Sequence, residues 1–413
     1  LQAEPHATIL LVVTTSLFPP EYLDARSRYR AFMEEHVYPN EAAIGREDDA
    51  AVALLDDLRT RAREAGLWAP HVPPEAGGTG LGFLYYACLN EEIGRSAYAQ
   101  LVFGCQAPDA GNAEILHLFG TDGQKERFLR PLVAGDVRSF FSMTEPEVSG
   151  SDPTLLRTRA VRDGDEWVID GHKWFSSGAD GAAFAIVFAI SDPDAEPHRR
   201  GTMIVVPVDA PGVEIVRAVP VLGHTGRGWS THCEVTYTGV RVPVENTLGG
   251  EGDAFVIAQK RLGPGRIHHV MRWLGQMQRA FELMCRYAND REAFGGPLAD
   301  KQTVQNWVAD SAAEIQACRL LTMDAAQKID EGSEARVEVS LLKFYAARVL
   351  CDVIDRAIQV HGARGLTDET PLAVMSLMAR GARIYDGPDE VHRMVVARRI
   401  LRSFRAGEGW TFS

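Results

Sequence analysis

The hydrophobic residues of this chain change their repeat twice, and that change limits the fold more than any single motif. Between residues 20 and about 136, Leu54, Leu55, Leu58, Ala62 and Ala65 recur at three- and four-residue steps, and Gly66 closes the helix they define. A loop over 70–82 breaks the pattern. A second helix follows over 84–94 with Glu91 and Glu92 on it, and a loop-to-helix unit ends at Gly135. From roughly 140 to 249 short β-rich runs take over at 166–169, 185–190, 202–208, 213–219 and 234–242, which predicts a small β-barrel or sandwich. After Gly252 the helical repeat returns in three stripes. Ile267, Val270, Met271, Leu274, Met277, Phe281 and Met284 form one; Val304, Trp307, Val308, Ile315 and Cys318 a second; Val337, Leu341, Phe344, Cys351, Ile354 and Ile358 a third. Long amphipathic helices in succession predict a bundle.

Helices, then strands, then a bundle is not the order of a doubly wound nucleotide-binding fold, and no GxGxxG follows a strand. The glycines between Gly77 and Gly82 read as turn punctuation. The expected class is α+β and multidomain: a tail over 1–16, an N-terminal helical domain over 17–139, a middle β domain over 140–249 and a C-terminal helical bundle over 250–413. A length of 413 residues with 46% hydrophobic side chains supports several cores. A net charge of −13 argues against a nonspecific nucleic-acid surface. Six cysteines without a CxxC pair signal neither a disulfide framework nor a zinc site, and a cytoplasmic setting is the expectation. The apolar run 9–13 is too short to span a bilayer and has no basic leader. A start at Leu1 rather than Met suggests an upstream extension or processing.

Two segments carry the chemistry: FSMTEPEVSGSD from Phe141 to Asp152, and GHKWFSSG from Gly171 to Gly178. A flat aromatic, small hydroxyl side chains and close-approach glycines are what a protein needs to hold a flavin ring and its diphosphate, so a flavoenzyme is the leading reading. His268 and His269 do not point to a metal, because neighbours on a helix project about 100° apart and no HExxH is present; packing or substrate contact is expected of them. Ser176 and Ser177 lack a GxSxG context and read as turn residues ending a strand. Asp386, in Asp-Gly-Pro-Asp-Glu before Val391, Met394, Val395 and Arg398, has the pattern of a helix N-cap with proline in the first turn.

Taken in order, PEAGGTGLG with Glu91, Glu92 and Arg95, FGTDGQKERFLRPLVAGD, MTEPEVSGSD, DGHKWFSSG, the Arg291-to-Gly295 step, Gln359-Val360-His361-Gly362 and Tyr385-Asp386-Gly387 resemble the acyl-CoA dehydrogenases over roughly residues 20 to 405. GPGRIHH and YDGPDEVH look like the branch that also occurs fused to phosphotransferase-like domains; no such domain is in this sequence. The resemblance implies an N-terminal helical domain, a middle β-barrel domain and a C-terminal four-helix-bundle domain, with FAD between the β domain and the C-terminal bundle. Phe141, Met143 and Thr144 match the flavin-contacting strand, Ser151 a position near flavin and thioester, Phe175 the place of a ring-stacking Trp, and Ser177 that of a hydroxyl near N5. Arg291, Phe294, Gln302, Gln359 and Gly362 match positions that reach the FAD of a neighbouring subunit, in a homodimer or homotetramer, and Glu390 joins the cofactor set.

Arg266, expected to open a helix over 267–288, and Gly387 match positions beside the substrate. Asp386 stands where the family carries its catalytic Glu, which outweighs the capping reading. It is one methylene shorter, and a displacement of about 1 Å can cost on the order of 100-fold in rate. Pro388 replaces a hydroxyl residue near the flavin. The implied reaction is dehydrogenation of an acyl-CoA to a trans-2-enoyl-CoA, with Asp386 taking the Cα proton and flavin N5 the Cβ hydride. Site closure is expected to raise the pKa of Asp386. An electron-transferring flavoprotein is the implied acceptor. An oxidase on the same scaffold, acting on acyl-CoA or a nitroalkane, and a non-catalytic flavin scaffold remain alternatives.

Overall fold

The computed structural model describes residues 18–78 and 80–412; the tail expected over 1–16 lies outside them. The first region is helical: α1 (Pro20–Phe32), α2 (Asp49–Glu64), α3 (Phe83–Ile93) and α4 (Asp109–Phe119). Asp48 caps α2 by accepting from the Ala51 N–H at 2.8 Å, and Leu55, Leu58 and Ala62 then bury on one face. Helix α3 is apolar almost all round because other helices cover it. Its one deeply buried charge, Glu92 at 2% exposure, is neutralised by Arg26 and Arg30 of α1.

The middle region is a mixed eight-stranded sheet: β1 (Ser139–Ser142), β2 (Arg159–Asp163), β3 (Glu166–Ser177), β4 (Phe184–Ile190), β5 (Gly201–Pro207), β6 (Val213–Ala218), β7 (His232–Pro243) and β8 (Thr247–Leu248). The ladder runs β6-β7-β3-β2-β4-β5-β8, with β1 parallel to β4. It curls so that Ile169, Val187, Val206, Val235 and Val240 share one core, while the outer face of β4 and β5 packs on α4. Strand β3 is far longer than the expected 166–169. Its second half continues to Ser177 through register shifts against β7 between Ile169 and Gly171 and between Lys173 and Ser176. Ser176 and Ser177 therefore end a strand.

The third region holds α5 (Ala254–Asp290), a surface hairpin of β9 (Glu292–Ala293) and β10 (Gly296–Pro297), α6 (Gln302–Asp330), α7 (Arg336–His361), α8 (Leu372–Gly381) and α9 (Asp389–Arg405). Helix α5 packs on α3, α6 and α7, and α9 packs on α7. Met271, Met277 and Met284 are core residues. The close passage of α5 over α3 depends on Gly275, where an added Cβ would lie 2.2 Å from the Glu91 carbonyl oxygen. One expectation is corrected: Arg266 does not open a helix, because α5 begins at Ala254 and runs through Gly263-Pro264-Gly265. Proline removes one hydrogen bond from the ladder, but the turns on either side are held by packing on the sheet and on α3. No helix among the described residues is long and apolar enough to cross a membrane.

Candidate active site

Asp386 lies in the tight turn between α8 and α9, in a left-handed conformation (φ 54°) that few side chains other than Asn and Asp adopt readily. It is not the N-cap of α9. Pro388 holds that place without a side-chain cap, and the buried Asp389 at the first helical position accepts from Arg383 at 2.8 Å. The capping alternative is thereby removed.

Three elements hold the turn's backbone. Arg266 of α5 donates Nε–H to the Asp386 carbonyl oxygen at 2.8 Å, and His392 Nε2 of α9 lies 3.2 Å from the same oxygen. The fully buried Lys343 of α7 donates to the carbonyls of Ala382 (2.7 Å) and Gly387 (3.1 Å), and burial pushes its pKa down to about 8. An added Cβ at Gly387 (φ 103°) would lie 2.8 Å from His392 Nε2. The Asp386 N–H has no acceptor among the described residues.

The carboxylate of Asp386 faces α5. Its Oδ2 is 3.2 Å from His269 Nε2, and both side chains are about a fifth exposed. Burial alone raises a carboxyl pKa, but the hydrogen bond and charge of His269, with Arg261 and Arg266 behind it, outweigh that and hold Asp386 well below the usual carboxylate range. The resting site thus does the opposite of the elevation expected on closure. Arg261 also lies 4.2 Å above the Phe141 ring, linking the end of β1 to the base.

Phe141, Met143 and Thr144 follow one another along and just beyond β1. This segment is locked to β3: the Trp174 N–H donates to the Thr144 carbonyl at 3.0 Å, and Lys173 Nζ donates to the Met143 carbonyl at 2.8 Å. The Thr144 hydroxyl makes no hydrogen bond among the described residues. Glu145 of the same motif is structural. Its buried carboxylate accepts from the N–H groups of Arg157 (2.7 Å) and Thr158 (2.8 Å) and from Lys173 Nζ (2.9 Å). Phe175 stands at the β3 irregularity with φ 49° and is 40% exposed; the Ser177 hydroxyl meets His232 Nδ1 at 2.7 Å. Ser151 is exposed and, among the described residues, its hydroxyl bonds only Ser149.

The structure brings Asp386, Arg266 and Gly387 together, with Phe141 approached through Arg261. Met143, Thr144 and Ser177 are half-buried, and the candidates for a neighbouring subunit's cofactor, with Glu390, are surface residues. Phe294 is 99% exposed at φ 51° on the β9–β10 hairpin beside the exposed Arg291, while Gln302, Gln359, Gly362 and Glu390 are exposed at the ends of α6, α7 and α9. Three contributors escaped the sequence reading, Arg261, Lys343 and His392, and His269 was expected to pack or touch substrate, not to meet the base. The only signal for His269 was its place one turn after Arg266, on the same helical face.

Chain-wide comparison agrees with this architecture. The models of the acyl-CoA dehydrogenase N-terminal, middle and C-terminal domains match residues 19–136, 140–240 and 252–401. The chain is 48% identical over 391 residues to the Mycobacterium tuberculosis protein named "Probable acyl-CoA dehydrogenase FadE2", covering 92% of this chain and 95% of that one. It is 40% identical to acyl-CoA dehydrogenase family member 11 of Rattus norvegicus over 91% of this chain, and spans about half (50%) of that protein's length. A solved structure from Mycobacterium abscessus, described as an acyl-CoA dehydrogenase, is similar with a TM-score of 0.88 at 40% identity, covering 94% of this chain and 99% of that one. A helical, sheet and helical order matched end to end by three consecutive domain models and by relatives of this identity places the chain in the acyl-CoA dehydrogenase family.

Proposed function

We propose that the protein dehydrogenates the Cα–Cβ bond of an acyl-CoA thioester with FAD as cofactor, Asp386 serving as the base. The observation that carries this reading is a carboxylate at a strained turn whose backbone is fixed by Arg266, Lys343 and His392 while its side chain stays partly open. Catalytic groups must be held more rigidly than ordinary turns require, and strain of this kind concentrates at functional positions. The residues present suit a flavin: the unengaged Thr144 hydroxyl, the exposed Phe175 held at positive φ, and Phe141 under the Arg261 guanidinium supply a polar edge and aromatic surface. Phe141, Met143, Thr144, Ser151, Phe175 and Ser177 would hold it from this subunit. When bound, FAD would supply a hydride acceptor.

Asp386 would take the Cα proton through its carboxylate. Its backbone N–H, which has no acceptor among the described residues, would face the thioester oxygen, where negative charge develops. Arg266 orients that peptide rather than the substrate directly. Because the resting carboxyl is held low, the entering acyl chain must weaken its contacts with solvent and cations to raise its basicity. The exposed Phe294, Arg291, Gln302, Gln359, Gly362 and Glu390 fit a cofactor site completed by a second subunit in a dimer or tetramer. An electron-transferring flavoprotein is the proposed acceptor, and six free cysteines fit a reducing, cytoplasmic setting.

The test is anaerobic bleaching of the bound flavin by a panel of acyl-CoAs. The reading expects wild type to bleach with at least one of them, and Asp386→Asn to retain flavin without bleaching. Full bleaching by Asp386→Asn would reject the base assignment, and rapid peroxide formation in air would move the activity to an oxidase.

A further inference from the structure

We propose that His269 is the positioning partner of the Asp386 base, fixing the direction of a carboxylate that is one methylene shorter than the glutamate the family usually places there. This inference rests on the reading of Asp386 as the proton acceptor.

The backbone of the base is already fixed from three helices, so what remains free is the direction of a short side chain with two torsions. His269 settles it by meeting Oδ2 at 3.2 Å, while Oδ1 has no partner among the described residues and is left for the substrate proton. The imidazole is itself held. Its plane lies within 21° of Trp273 at 6.3 Å, and the Tyr385 ring stands 5.2 Å away. Trp273 is anchored in turn by its indole N–H, which donates to the Tyr385 hydroxyl at 2.9 Å. A rigid aromatic pair thus aims the imidazole at the carboxylate, much as an outer partner orients a reactive group in other sites.

A glutamate reaching from the same turn would need no such help, because its extra methylene carries the carboxylate toward the substrate. An aspartate covers a smaller arc, so a wrong χ2 costs proportionally more of the approach. Arg261, Arg266 and His269 face the base from α5, Lys343 from α7, His392 from α9, and Tyr385 from its own turn. His268 is the titratable neighbour of His269 on α5. Of all these, only His269 meets the carboxylate itself within hydrogen-bonding distance.

The experiment compares wild type, His269→Leu, His269→Gln and Asp386→Asn as flavin-loaded enzymes, with flavin content checked for each. Stopped-flow anaerobic reduction by an accepted acyl-CoA is followed across pH, together with the substrate dissociation constant. Removing the imidazole should slow flavin reduction roughly 10- to 100-fold at unchanged substrate affinity. The acidic limb of the rate should move up by about one pH unit, because the carboxyl loses a contact that favours its charged form. His269→Gln, which keeps an N–H donor on a side chain of similar reach, should recover much of the rate. A readout independent of turnover is the antisymmetric carboxylate stretch of Asp386, isolated by infrared difference against Asp386→Asn without substrate; its position should move in His269→Leu, which removes the Nε2 contact to Oδ2. If both His269 variants keep the wild-type rate, limb and band position while Asp386→Asn is inactive, the positioning role is overturned and the base reading stands. If Asp386→Asn still reduces flavin, the base reading itself fails. Should His269→Leu lose its flavin, His269→Ala takes its place: a slowed reduction with a raised limb supports the role, and wild-type rate and limb refute it.

Discussion

Glu145→Gln perturbs a contact whose cost follows directly from the geometry. The wild-type carboxylate, almost fully buried, accepts from two backbone N–H groups and from the fully buried Lys173 ammonium at 2.9 Å. Among the described residues Lys173 has one other acceptor, the Met143 carbonyl, and burial already holds its pKa down to about 8. The amide can replace one backbone contact but leaves the ammonium without its counter-charge, a loss of about 3 to 5 kcal/mol. Lys173→Met leaves the carboxylate its two N–H donors and should cost only about 1 to 3 kcal/mol. The double variant buries no charge and should be more stable than Glu145→Gln alone, giving a coupling of at least ~1 kcal/mol. Urea unfolding of the four proteins at pH 7 measures this. Flavin content should follow the same order, because the pair ties the segment bearing Thr144 to the strand bearing Phe175. Single costs that add to within about 0.5 kcal/mol would refute the reasoning.

Gly387→Ala should cut flavin reduction by at least ~10-fold with little change in substrate affinity, since its φ of 103° and a Cβ 2.8 Å from His392 Nε2 force the base turn to move; stopped-flow kinetics checks it. Gly275→Ala should destabilise by about 2 kcal/mol or more, because the methyl meets the backbone of α3 at 2.2 Å; chemical denaturation reads the loss. The folded-state pKa of His71 is pushed down to about 3 by burial, aided by Arg272. The unfolded chain therefore binds the extra proton first, and this residue's share of stability is lost as pH falls from about 6.5 toward 3. His71→Gln should flatten the acid limb of a stability–pH curve, and an unchanged limb would contradict the burial argument.

Much of the molecule was legible from periodicity because its helices and β4, β5 and β7 bury regular faces. The second half of β3 was not. Lys173 is buried against Glu145 and Phe175 is exposed, which inverts the pattern a reader of alternation expects, and the register shifts remove the period altogether. The N-terminal turns of α5 hid behind Gly263-Pro264-Gly265, whose composition argues for a loop while tertiary packing keeps the helix. Asp386 and Arg266 were found through motif resemblance. His269 was expected to pack or to touch substrate, not to meet the base, because its partner lies more than a hundred residues away and no local spacing encodes that contact.

The central claim, that Asp386 takes the Cα proton, is tested most directly by flavin reduction with an α-deuterated acyl-CoA in wild type and Asp386→Asn of equal flavin content. Wild type should show a large primary isotope effect, and the variant should fall below about 1% of the wild-type rate. A variant that reduces its flavin at the wild-type rate with the isotope effect intact would assign the proton to another group.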